Sequence, residues 1–147
     1  MTLTTNIGSI QKIEVALERD ITIGAPNEKN EVVVNNRIAW DVINFTAGSA
    51  SISEPEEIGI QGLIYKTKLG WKIPKAGPEN YANAYKYRNK KVILKVTDGN
   101  GTVHLIGEPG RPVMIKTEKI IPAKPSGYNG YEMTVETRNT HPAYFVA

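Results

Sequence analysis

A chain of 147 residues, 40% hydrophobic and 22% charged, is long enough for one domain with its own core and is not the composition of a disordered protein. It has no cysteine, which excludes disulfide staples and thiolate zinc sites, and no apolar run long enough for a membrane span. The net charge of +3 is small but segregated: residues 1–59 carry four Lys/Arg against nine Asp/Glu, residues 60–95 nine against one, and residues 96–147 five against five.

Met1 to Gln11 have no basic residue before the first apolar stretch and no signal-peptide core, so export by that route is not expected. Ile13, Val15 and Leu17 alternate with Glu14, Ala16 and Glu18, the pattern of a strand with one buried face. Val32 to Val34 and Ile38 to Phe45 are β-branched and aromatic runs, with Asn35-Asn36 between them as a turn. Residues 46–62 are small, polar and acidic, including Glu54, Glu56 and Glu57, and read as a mobile or partner-ordered loop. Those carboxylates have the chemistry to hold a divalent cation, but a solvated acidic run is the simpler reading.

Leu63, Tyr65, Thr67, Leu69, Trp71 and Ile73 share one parity, and Lys66, Lys68 and Lys72 the other. This predicts one long strand or two short ones, apolar on one face and lysine-bearing on the other, with Gly70 as a bulge or bend. Glu79 to Arg88 alone looks helical: Pro78 opens it, and Tyr81, Ala84, Tyr85 and Arg88 recur at helical spacing. Val92 to Val96 and Thr102 to Ile106 flank Asp98-Gly99-Asn100-Gly101, a hairpin whose turn residues tolerate positive φ. Glu108 to Pro112 is a second turn and Val113 to Ile121 a strand. Pro122 to Gly130 is a loop, followed by a last long strand in which Tyr131, Met133 and Val135 alternate with polar residues. Tyr144, Phe145 and Val146 pin the C-terminus. The sum is an all-β fold, an antiparallel sandwich or barrel, with one short helix in a single domain.

The sequence offers little for catalysis. The two histidines, His104 and His141, have no carboxylate at ligand spacing. There is no nucleophile elbow, phosphate loop or dinucleotide motif, and no metal or cofactor site is expected. A small enzyme would need His104 or His141 to meet a carboxylate from a distant strand. Tyr81, Tyr85 and Tyr87 interleaved with Arg88, Lys90 and Lys91 have the composition of a nucleic-acid surface, which makes a nucleic-acid-binding barrel the main alternative to self-assembly.

The block Tyr87 to Ile115, from Tyr-Arg-Asn-Lys-Lys-Val-Ile-Leu-Lys-Val through Asp-Gly-Asn-Gly to Gly-Glu-Pro-Gly-Arg-Pro-Val-Met-Ile, resembles small virion proteins of tailed bacteriophages and prophages. Gly130-Tyr131-Glu132 and Thr140 to Phe145 have the same character. The resemblance covers the C-terminal half. It implies a non-enzymatic tail or neck component, assembled in the host cytoplasm and resident in the virion: a tube ring, a head–tail connector or a tail completion protein. On that expectation the partners are copies of the chain in a ring and other virion proteins. Contacts are expected from an arm at 46–76 and a basic patch at 86–95, through Glu54, Glu56, Glu57, Lys66, Lys68, Trp71, Lys72, Lys86, Arg88, Lys90 and Lys91.

Overall fold

The computed structural model describes residues 8–147, so most of the segment read for an export signal lies outside the described residues. Nearly all regular structure is β, arranged as two main sheets and a small third layer. The first sheet runs β3 (Glu31–Val32), β13 (Phe145–Val146), β10 (Val103–Ile106), β9 (Val92–Asp98), β1 (Ile10–Leu17) and β5 (Asp41–Ile43). The second runs β11 (Lys116–Ile120), β12 (Gly130–Asn139), β8 (Gly62–Pro74) and β6 (Ser51–Ser53), with β7 (Glu56–Gly59) also on β8. β2 (Ile21–Ile23) and β4 (Val34–Asn36) form a two-stranded layer, and α1 (Pro78–Tyr85) is the one α-helix among the described residues. All pairings are antiparallel except β13 on β3.

The core follows from the period of two. In β8, Leu69, Trp71 and Ile73 stand opposite Val135, Met133 and Tyr131 of β12, and all six are buried. The first sheet answers with Ile13 and Val15 of β1 and Val92, Leu94 and Val96 of β9, in one cluster with them. Burying each large aliphatic side chain is worth about 1.5–3 kcal/mol, so this inter-sheet layer is the main source of stability. The two sheets therefore form a sandwich.

The first sheet is also covered on its outer side. Ala16, Ile93 and Leu105 pack with Ile21 and Val32, supported by Ile23, Val34, Trp40, Tyr144 and Val146. β1 consequently has two buried faces rather than the single one its alternation suggests. Glu14 belongs to the covered side, 9% exposed, and is held by Lys12 at 3.6 Å and by its cross-strand partner Lys95 at 3.7 Å.

Four other local expectations change. Asn35 and Asn36 are not a turn: they pair with Thr22 and Ile21 in the third layer, where exposed strand positions accept a polar side chain. Gly70 is neither bulge nor bend, because it sits opposite Thr134 in unbroken register. The helix stops at Tyr85, with turn-type bonds from the Arg88 N–H to the Tyr85 carbonyl and from Lys90 to Tyr87. Residues 46–62 form no long patternless loop, since β6 and β7 both pair with β8.

The Asp98–Gly101 hairpin forms as expected. Asp98 Oδ1 accepts from the Asn100 and Thr102 N–H groups, and Gly101 adopts a φ of 84°. The C-terminus is pinned: Phe145 N–H donates to the Asn30 carbonyl, the Tyr144 carbonyl accepts from Leu105, and Ala147 N–H donates to Val32.

Candidate functional site

The 13-residue strand β8 outruns its neighbours. β12 pairs with it from Tyr65 to Pro74, whereas Gly62 to Ile64 pair only with β7. The end of the β7–β8 hairpin is therefore a two-stranded ribbon projecting past the sheet, closed by Ile60 and Gln61 between Gly59 and Gly62. Its apolar residues are left largely open: Ile58 is 86% exposed, Ile60 107% and Leu63 43%. Acids lie at its base. Glu57 faces solvent, and Glu56 stands opposite Tyr65, whose phenol is pushed up by burial and by the Glu56 carboxylate.

The anticipated contact residues separate into three groups. Trp71 is in the core at 1% exposure; its odd parity in β8 turns it inward against Met133 and Leu94, so it belongs to no contact surface. Others already have partners in the chain. Glu54 accepts from the Thr67 hydroxyl and from the Ala143 N–H at 3.0 Å, tying the base of β7 to the C-terminal segment. Lys68 sits 3.4 Å from its cross-strand partner Glu136 and, with Lys66 and Lys116 adding to its charge, holds that carboxyl below the usual range. Lys72 lies over the Tyr128 ring at 4.8 Å. Lys86 pairs with Asp41 at 2.7 Å, and the Tyr87 hydroxyl donates to the same oxygen. These two hydrogen bonds hold Asp41 below the carboxylate range, and burial beside Asp41 raises the Tyr87 phenol well above its own.

The third group remains open to solvent. Lys90 and Lys91, joined by Arg19 from the turn after β1, line a shallow groove with Leu17, Asn89 and Glu18, whose carboxylate accepts from the Gly110 N–H at 2.8 Å. None of these three cations is ion-paired with a described residue. Arg88 lies over the Tyr85 ring at 5.7 Å and has no carboxylate partner among the described residues. Arg19 was not anticipated from the sequence. It falls in the acidic third, and only the fold brings it beside Lys90 and Lys91.

Comparisons with models of known protein families, with curated proteins and with solved structures find no match. The fold and the chemistry of its surface must carry the functional reading.

Two alternatives can be weighed on geometry. Of the three tyrosines proposed to stack on bases, Tyr85 and Tyr87 pack against the core, Tyr85 with its ring edge-on to Tyr131 at 5.6 Å. Tyr81 alone is substantially exposed, at 50%. Each histidine, in turn, meets a carboxylate that its sequence neighbourhood did not reveal. His104 Nε2 is 2.9 Å from Asp98 Oδ2, and His141 Nε2 is 3.1 Å from Glu108 Oε1. His141 also stacks on Tyr144, with ring centres 4.6 Å apart. Among the described residues no three His, Asp or Glu side chains gather as a metal-binding group.

One feature has no sequence signal. A cavity of about 180 Å³ opens where α1, the turn after it, β5 and β11 meet the core, with Trp71, Ala84 and Met133 in its wall. The Thr117 hydroxyl of β11 donates to the Ala84 carbonyl at 3.2 Å and holds the helix over this space. The indole N–H of Trp71 is buried and has no acceptor. An unpaired buried donor costs about 1–3 kcal/mol.

Proposed function

We propose that the chain is a non-enzymatic structural subunit that builds a ring or tube by head-to-tail contact between copies, in the tail or neck of a tailed-phage virion. The observation that carries the self-assembly reading is the overhanging ribbon with Ile58 and Ile60 almost fully exposed. A two-stranded ribbon is marginal in water by itself, and an exposed apolar β-edge invites pairing with another chain. Its acidic base, Glu56 and Glu57, is complementary to the Arg19, Lys90 and Lys91 groove of a second copy. These are two different patches on one chain, the requirement for a heterologous interface that closes into a ring or continues as a tube. The virion assignment rests on the resemblance of Tyr87 to Ile115 to small tail and neck proteins. Nucleic-acid binding is the lesser reading, because Tyr85 and Tyr87 pack against the core and leave Tyr81 alone of the three to stack on a base.

Absolute mass by light scattering across a concentration series, at low and moderate salt, tests this reading. Wild type is expected to form a discrete ring or a growing polymer that salt weakens. The pair Ile58→Ser/Ile60→Ser and the pair Lys90→Glu/Lys91→Glu should each give monomers with an unchanged fold. Monomeric wild type at every concentration, or assembly indifferent to both pairs, overturns it.

A further inference from the structure

We infer that the cavity beneath α1 is a binding site for a small carboxylate with a flat apolar body, of about the size of benzoate. This does not depend on self-assembly, because the cavity shares no lining residue with the ribbon or with the Lys90–Lys91 groove. Its volume of about 180 Å³ suits such a ligand; an apolar protein cavity of about 150 Å³ is enough to admit benzene. Met133, Ala84 and Ile115 offer apolar wall.

The polar groups point to negative charge on the ligand. Asp41, the one carboxylate in the wall, already accepts from Lys86 and Tyr87. Against it stand donors that no carboxylate satisfies: the Asn44 and Asn83 amides, the Arg88 guanidinium, whose one hydrogen bond is a long one of 3.5 Å to the Tyr81 hydroxyl, and the buried Trp71 indole N–H, which has no acceptor. Trp71 is 1% exposed and stands in the wall of this cavity. Donors in excess, one of them buried and unpaired, match an acceptor-rich guest. The guanidinium at the mouth suits a carboxylate, which it can hold through two parallel bonds.

The chain has two tryptophans, so its NMR spectrum shows two indole N–H signals, and Trp40→Phe identifies that of Trp71. Sodium benzoate, benzyl alcohol and inorganic phosphate are the probes, each titrated into the folded protein. Benzoate should shift the Trp71 signal saturably, and benzyl alcohol and phosphate should do so at least about tenfold more weakly. Arg88→Gln, at an exposed position that leaves the fold intact, should weaken benzoate by about tenfold, and Ala84→Leu should abolish the shift by filling the space. A Trp71 signal unmoved by benzoate overturns the site. Benzyl alcohol binding as well as benzoate, or an unchanged benzoate response in Arg88→Gln, overturns the carboxylate assignment.

Discussion

Two tight hairpins in this chain have been put to opposite uses. β9–β10 lies in the middle of the first sheet, with Val92, Ile93 and Leu94 at 0% exposure, one or the other face of each packed by a different layer. β7–β8 ends in the open, with Ile58 at 86% and Ile60 at 107%. Both close around a glycine at positive φ, Gly101 at 84° and Gly62 at 115°. Local turn chemistry thus sets where the chain reverses, and says nothing of whether the strands beside the turn find their partners inside the molecule. In β9–β10 the apolar residues have those partners. At the free end of β7–β8, Ile58 and Ile60 do not, and that separates a residue that stabilises the subunit from one that joins subunits.

The largest effect sharpens this contrast on stability. Leu94→Ala should cost about 2–5 kcal/mol, because it leaves a hole where both sheets meet. Ile58→Ala should change the stability of the dispersed subunit by no more than about 0.5 kcal/mol, because it removes no internal contact. Urea unfolding of both variants at a concentration where the protein is monomeric checks this. A costly Ile58→Ala would mean that the ribbon folds back on its own subunit, and the distinction between the hairpins would fail.

A smaller effect tests whether the ribbon is coupled to the core at all. A Cβ at Gly101 or at Gly62 meets nothing within 4 Å, so alanine acts there only through the backbone angle. Forcing an L-residue into positive φ costs about 1–2 kcal/mol. Gly101→Ala should lower global stability by about that much, since its turn joins two core strands. Gly62→Ala should leave global stability almost unchanged and instead raise the amide exchange of Ile58 and Leu63, because the ribbon opens locally. Equal loss of global stability in both would make the ribbon part of the cooperative unit.

The two hairpins were also unequally legible in the sequence. Asp98-Gly99-Asn100-Gly101 announces its turn through residues that accept positive φ and a carboxylate that caps neighbouring N–H groups. The small and acidic residues 46–62 look like loop because β6 and β7 draw little from their own side chains; their order comes from hydrogen bonds to β8, a partner later in the chain. Parity carried β8 and β12 well, including the inward place of Trp71, which conflicted with naming that residue as a contact. Glu14 passed for a solvent-facing residue because its charge is compensated by Lys95, far away in sequence and adjacent only in the sheet. The same holds for the surface: the lysines of β8 and of residues 86–91 were visible, but Glu136 and Asp41, which neutralise two of them, and Arg19, which joins Lys90 and Lys91, reach them only through the fold. The cavity under α1 needs four elements at once, and no local pattern encodes it.

The smallest effect concerns pH and belongs to the buried hairpin. Burial of Asp98 raises its pKa, but the bonds it accepts from His104 and from the Asn100 and Thr102 N–H groups outweigh this, and its carboxyl is held below the ordinary value. A folded-state pKa lowered relative to the unfolded chain gives stability that is fully present above the unfolded pKa, about 3.9, and is lost as pH falls through the folded value. Asp98→Asn keeps an oxygen acceptor for the two turn N–H groups and removes only the part that depends on charge. The stability difference between wild type and Asp98→Asn should therefore be constant above about pH 5 and shrink steadily below about pH 4. Urea unfolding midpoints of the two proteins across that range measure it. Replacement of the ribbon tip, Ile60→Asn with Gln61→Gly, should leave this pH profile where it was. A profile that moved with the ribbon would tie together the two hairpins that the structure keeps apart.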